Sequence, residues 1–320
     1  MMAQRGEVGQ LDRLDEVFLD DQAIAEQVLK AKRERNAVIL VHNYQRPEVQ
    51  DIGDFTGDSL GLARKAAEAE ADVIVFCGVH FMAETAYILN PGKIVLLPEP
   101  RAGCPMADMA TAAEVVKARE EHPDAAVVSY VNTSAEVKAV SDYCCTSGNA
   151  VQVVRAVDAD IVLFVPDRNL ARYVEERVDK LIIPWEGYCH VHDEITVNHV
   201  MLALEAHPGA EVIAHPECRT EVLEIACHIR STSGMVDAAL QSDAREFIVA
   251  TESGMIYPLS KAVPEKSFYT PPVEPVCPNM KLTTLSKVLW ALQTLEPRVT
   301  VPEDIRLRAL GAVERMLSLG

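Results

Sequence analysis

Three cysteines fall at nearly regular intervals along the chain: Cys104, Cys189 and Cys277 are 85 and 88 residues apart. Thiolates spaced this way can hold iron or zinc. Polar residues that end short apolar runs keep a matching rhythm. His42 follows Ala37 to Val41, Tyr130 follows Ala126 to Ser129, and His215 follows Glu211 to Ala214, at intervals of 88 and 85 residues. Ser59 in GDSLG, Ser147 in CTSGN and Thr232 in STSGM repeat those intervals, as do Phe76, Phe164 and Val249. With one cysteine in each copy, two chemistries are open. The thiolates could carry an iron–sulfur cluster with one iron free of protein, able to act as a Lewis acid. With a histidine such as His192 they could instead hold zinc. No C-x-x-C is present, so the repeat carries more of this reading than cysteine spacing alone.

The elements that must position these groups follow from the same pattern. Short β-rich apolar runs that stop abruptly at polar residues predict buried parallel strands. A period of this length exceeds any solenoid unit and predicts a triplicated strand–helix–strand–helix–strand unit. The expected fold is α/β, with three repeated αβα domains whose parallel sheets stand in a pseudo-threefold arrangement around a central active site. The copies are expected at 37–122, 123–209 and 210–285, with helical segments at 1–36 and 286–320. Helices are predicted from Leu11 to Arg35 and from Thr284 to Leu319, both packing outside. Ligands of open α/β sheets bind beyond the carboxyl ends of the strands, where His42, Tyr130 and His215 fall. Helix starts at Ser59, Ser147 and Thr232 would add backbone N–H groups and hydroxyls suited to phosphate or carboxylate. A small, multiply anionic substrate is expected.

Composition narrows the classes. The 320 residues are 49% hydrophobic, enough for a large core, and the net charge of −18 disfavours nucleic acid as a partner. No apolar run approaches the roughly 18 residues of a membrane span, and the N-terminus lacks a signal-peptide core, so a cytoplasmic protein with no membrane partner is expected. Its eight cysteines are then not presumed to pair as disulfides. Cys77, Cys218 and Cys227 read as packing residues. The vicinal Cys144 and Cys145 precede the Thr146–Gly148 loop and read as pocket lining. His80, His190, His199, His207 and His228 read as surface or structural. G-x-G-x-x-G and Walker signatures are absent, which disfavours a nucleotide cofactor.

From Val38 to Leu285 the segments VHNYQ, GDSL, GVHFMAETA, YVNTSAEVKA, TSGNAV, GYCHVH, HPEC, STSGM and VCPNMK occur in the order of the quinolinate synthase family, which the chain resembles. The resemblance implies condensation of iminoaspartate (iminosuccinate) with dihydroxyacetone phosphate to quinolinate, releasing phosphate and water, in de novo NAD biosynthesis. It implies one 4Fe-4S cluster with three cysteine ligands, Cys104 in AGCPM, Cys189 in GYCHV and Cys277 in PVCPN, and one open iron. Functional coupling to the enzyme that supplies iminoaspartate follows from the same source. Substrate contacts are implied at His42, Ser59, Tyr130, Asn132, Ser147, His215, Glu217 and Thr232, and catalytic roles at Tyr44, His215 and Glu217, with His192 a lesser candidate. Some family members carry extra cysteines near the third ligand. Here VEPVCPNM has Cys277 alone, which puts a thiol switch there in doubt.

Overall fold

The computed structural model describes residues 20–319. Part of the N-terminal helix expected from Leu11 lies outside them; what is described is a helix at Asp21–Glu34, capped by the Asp20 side chain, which accepts from the Ala23 N–H. Twelve strands follow in three sets. The first comprises β1 (Ala37–His42), β2 (Phe55–Gly57), β3 (Val73–Cys77) and β4 (Ile94–Leu96). The second comprises β5 (Ala125–Tyr130), β6 (Tyr143–Cys145), β7 (Ile161–Val165) and β8 (Leu181–Pro184). The third comprises β9 (Glu211–Ala214), β10 (His228–Ile229), β11 (Glu246–Ala250) and β12 (Ser267–Tyr269). Each set forms a four-stranded parallel sheet of the same order: β2-β1-β3-β4, β6-β5-β7-β8 and β10-β9-β11-β12.

The repeat read from the sequence is visible rung by rung. Leu40 pairs with Phe76, Val128 with Phe164 and Ile213 with Val249, so each marker of the third series occupies the same ladder position. Runs such as VIVFC in β3 are buried throughout, as expected of strands covered by helices on both faces. In every sheet the chain leaves the first strand toward one edge and returns to the third on its other side. The crevice at that switch point opens beyond the carboxyl ends, where the functional candidates sit.

The terminal helices depart in part from expectation. Helices at Asp21–Glu34 and Leu285–Thr294 cover the outer face of the first sheet, through Val28, Ala31, Val288 and Leu292 against Ile39, Val41, Val73 and Val75. The stretch expected as one helix from Thr284 breaks after Thr294, and its second part, Glu303–Ser318, is amphipathic: Glu303, Leu307, Arg308 and Glu314 are exposed, while Ala309, Ala312, Val313 and Met316 are fully buried in the largest core cluster, beside residues of the first two sheets. It also reaches the site, because Asn149 donates from Nδ2 to the Met316 carbonyl at 3.0 Å while its Oδ1 accepts from the Thr146 N–H at 2.8 Å. Among the described residues, no helix is long and apolar enough to cross a membrane.

One close approach sets the loop before Cys189. A Cβ on Gly187 would lie 2.4 Å from the Pro166 carbonyl oxygen, a backbone atom that cannot swing aside. Gly187→Ala is therefore expected to cost about 1–3 kcal/mol, read as a lower denaturant midpoint at unchanged slope. Wild-type stability in that variant would show that the loop yields freely.

Candidate functional site

All twelve site residues singled out from the sequence line one cavity, which measures about 760 Å³ counted to its mouth. His192 and His190 line it as well. The three sheets deliver their strand ends to this one space. His42 and Tyr130 are the last residues of β1 and β5, and His215 directly follows β9. Ser59 and Thr232 begin helices at Ser59–Glu68 and Thr232–Gln241, capped by Asp58 and Ser231. Ser147 differs. It lies in a turn, and its helix starts later, at Ala150, because the Asn149 side chain takes the Thr146 N–H and delays the first helical turn.

The strand-end loops of the first and third repeats share one conformation. The Tyr44 N–H donates to His42 Nδ1 at 3.2 Å, and the Glu217 N–H donates to His215 Nδ1 at 3.3 Å. A ring whose Nδ1 accepts carries its proton on Nε2. Burial lowers the pKa of His42 to about 4 and of His215 to about 3, so both rings are neutral near pH 7. His215 then donates from Nε2 to Ser147 Oγ, 3.1 Å away. Asn43 likewise donates from Nδ2 to Thr232 Oγ1 at 2.8 Å. Each hydroxyl already accepts one bond, so its own proton is free to be donated. These are anion-holding groups made ready by their neighbours. Asn132 adds a buried Oδ1 with no partner among the described residues.

Beside them runs a chain of four side chains, with His192 stacked on His215 and Tyr44 edge-on to His42, both at 4.7 Å between ring centres. Tyr44 Oη lies 2.6 Å from Thr251 Oγ1, Thr251 Oγ1 lies 2.8 Å from His192 Nε2, and His192 Nδ1 lies 2.7 Å from Glu217 Oε2. Burial opposes the Glu217 charge, but His192 and His215 outweigh it, with bonds from His192 and Tyr130, and hold the carboxyl at about 2. An ionised Glu217 can only accept, so His192 donates from Nδ1; with a neutral ring its Nε2 accepts from Thr251, which then accepts from Tyr44. Burial, and then the charge of Glu217, push the Tyr44 and Tyr130 hydroxyls well above their ordinary pKa, keeping both protonated. Thr251 is wholly buried and was not singled out from the sequence. The contrast across repeats was available, since Gly78 and Pro166 occupy the equivalent positions.

Cys104, Cys189 and Cys277 reach the cavity from separate repeats, and all are free thiols. Burial pushes Cys104 up to about 12, raises Cys189 well above its usual value and raises Cys277, while charge on Cys277 would raise Cys104 and charge on Cys104 would raise Cys189. Three thiols that line one cavity and resist ionisation alone are a donor set suited to a cationic centre, which supplies the charge that thiolates need. Cys144 and Cys145 are fully buried and do not line the cavity. A second donor group overlaps the first: ligand atoms of Cys189, His192 and Glu217 lie within 4.8 Å of one another.

A family model described as "NadA: Quinolinate synthetase A protein" matches residues 26–318. The chain belongs to the quinolinate synthase family. It is similar to quinolinate synthase 1 of Methanosarcina acetivorans, with 54% identity over 296 residues that cover 92% of this chain and 97% of that protein. It is also 55% identical over 302 residues to the quinolinate synthase of Methanoregula boonei, covering 94% of this chain and 100% of the relative. A third relative, the quinolinate synthase of Thermodesulfovibrio yellowstonii, is 54% identical over 295 residues, 92% of this chain and 97% of that protein. Family membership makes the chain an enzyme of the quinolinate synthase type.

Proposed function

We propose that the protein condenses iminoaspartate with dihydroxyacetone phosphate to quinolinate, with release of phosphate and water, in de novo NAD biosynthesis. The observation that carries this reading is the meeting of three thiols, one per repeat, with the Tyr44–Thr251–His192–Glu217 chain in one cavity of a quinolinate synthase family member. Cys104, Cys189 and Cys277 would hold one 4Fe-4S cluster. When bound, such a cluster with three protein ligands supplies a Lewis-acidic iron for a substrate oxygen.

The side chains account for the remaining work. Ser147 and Thr232 hold carboxylate or phosphate oxygens with the protons that His215 and Asn43 leave free, and Ser59 adds the first turn of its helix. Tyr130 and Asn132 orient the substrate chain, and His42 offers its Nε2–H. Glu217 is the base that removes a proton from carbon, and Tyr44 the acid that protonates a departing hydroxyl. Shifting the three protons along their hydrogen bonds moves one net proton from Tyr44 to Glu217 and reverses every donor. At rest Tyr44 holds its proton and Glu217 is ionised, so the proton stays on the phenol and the chain keeps the acid protonated and the base free ahead of each turnover.

Thr251→Val keeps the shape but breaks that chain. Loss of its hydroxyl should lower kcat by about ten- to a hundredfold, equivalent to roughly 1.4–2.8 kcal/mol of barrier. Thr251→Ser should restore most of it. Equal activity in the valine and serine variants would remove the relay.

The reading itself is tested by assaying anaerobic protein with iminoaspartate generated in place and dihydroxyacetone phosphate, following quinolinate and phosphate together. Equal yields that require both substrates support it. Hydration or dehydration of a dicarboxylate without the triose phosphate would replace it with a hydratase. Because the imine is unstable, functional coupling to the enzyme that supplies it is part of the proposal, as is a cytoplasmic location.

A further inference from the structure

The three cysteine loops are fixed to the sheets by one repeated backbone contact. The residue after each third strand's cap position donates its N–H to the carbonyl two residues before the cysteine: His80 to Ala102, Arg168 to Gly187 and Ser253 to Pro275, each at 2.8 Å. The cap positions themselves are Val79, Asp167 and Glu252, spaced by the same 88 and 85 residues. Two of them carry a carboxylate, and both carboxylates do the same thing. Asp167 accepts from the Leu170 N–H at Oδ1 (2.7 Å) and from the Cys189 N–H at Oδ2 (3.2 Å). Glu252 accepts from the Gly254 N–H at Oε2 (2.7 Å) and from the Cys277 N–H at Oε1 (3.1 Å). One oxygen caps the following helical turn and the other holds the ligand cysteine's own amide.

We propose that Asp167 and Glu252 are positioning residues, each latching the backbone of one cluster cysteine, Cys189 and Cys277, through the carboxylate oxygen that its helix cap leaves over. Both side chains are essentially inaccessible, at 0% and 1% exposure, so water does not compete for these bonds. Fixing the amide fixes the Cα–Cβ direction and hence the thiol. Glu252 extends the latch: Lys281 Nζ, 2.9 Å from Oε1, also donates to the Tyr44 carbonyl, tying the Cys277 loop to the loop that presents the acid. Val79 offers no such oxygen. The Cys104 loop is instead held from the third repeat, where Asn279 donates from Nδ2 to the Gly103 carbonyl at 2.9 Å.

The consequence for metal rests on the cluster reading, whereas the latch itself does not. Asp167→Ser is the informative variant, because serine is a good cap for the Leu170 N–H but has no second oxygen for Cys189. Glu252→Gln is its counterpart, since an amide has one acceptor where two are used. Hydrogen exchange read at single amides in the full-length protein, before and after metal removal, should show Cys189 about tenfold faster in Asp167→Ser, the worth of one hydrogen bond. Cys277 should be unchanged there, and the pattern should invert in Glu252→Gln. Iron release to a chelator should accelerate about 10–100-fold in each variant, the usual effect of losing an outer-shell partner. Unchanged amides, or equal acceleration at Cys104, Cys189 and Cys277 in one variant, would overturn the latch. If one variant does not fold, the other alone decides by the same criterion. If wild-type protein binds neither iron nor sulfide, the cluster reading fails while the amide pattern still decides the latch.

Discussion

Glu217→Gln is expected to lower kcat by about 10²–10⁴-fold, the usual worth of a positioned acid–base group, while leaving iron content at the wild-type level. The substitution is nearly isosteric in a fully enclosed position, with Glu217 3% exposed. Glutamine Oε1 can still accept from His192 Nδ1, so the Tyr44–Thr251–His192 chain keeps its hydrogen bonds and direction. What disappears is the chain's terminus: an amide cannot take the proton. The fall should therefore exceed that of Thr251→Val, which severs the relay but leaves the base able to act once per turnover. Turnover within about threefold of wild type, far inside the range of acid–base effects, would take Glu217 out of proton transfer. Joint loss of iron and activity would instead make it a support for the cysteine loops.

The contrast between what the sequence revealed and what it concealed has a physical basis. A triplicated sheet repeats local patterns, and the rungs Leu40–Phe76, Val128–Phe164 and Ile213–Val249 show that the intervals marked equivalent backbone positions. Residues at strand ends were legible for the same reason. Thr251 was hidden, and His192 was only a lesser candidate, because their partners come from other repeats: Thr251 acquires meaning only when Tyr44 approaches from the first repeat and His192 from the second. Asp167 and Glu252 are helix caps whose second oxygen reaches a cysteine amide, a contact between segments 22 and 25 residues apart that no local pattern announces. The link from the last helix to the site is not readable from its position at the end of the chain. Its buried face of Ala309, Ala312, Val313 and Met316 lies among residues of the first two repeats and holds the Ser147 loop through Asn149.

Replacing any one of Cys104, Cys189 or Cys277 with serine is expected to abolish both cluster and turnover. Anaerobic wild-type protein should contain about four iron and four sulfide per chain, the content of a 4Fe-4S site. A serine oxygen is a harder, poorer ligand for iron in a sulfide cluster, and three ligands leave none to spare. Each variant should therefore lose iron and sulfide together. Cys144→Ser and Cys145→Ser are the controls, because those thiols are fully buried away from the cavity and burial alone raises them above their ordinary pKa before lesser effects act. They should keep a wild-type content even if their packing suffers. The overlapping Cys189–His192–Glu217 group gives the experiment a second discriminating outcome. Zinc bound there without sulfide would depend on Cys189 but not on Cys104 or Cys277, a pattern no three-cysteine cluster can produce. Equal dependence on all three cysteines, one from each repeat, would make the threefold architecture a requirement of the proposed cluster, since no single repeat supplies more than one of its thiols.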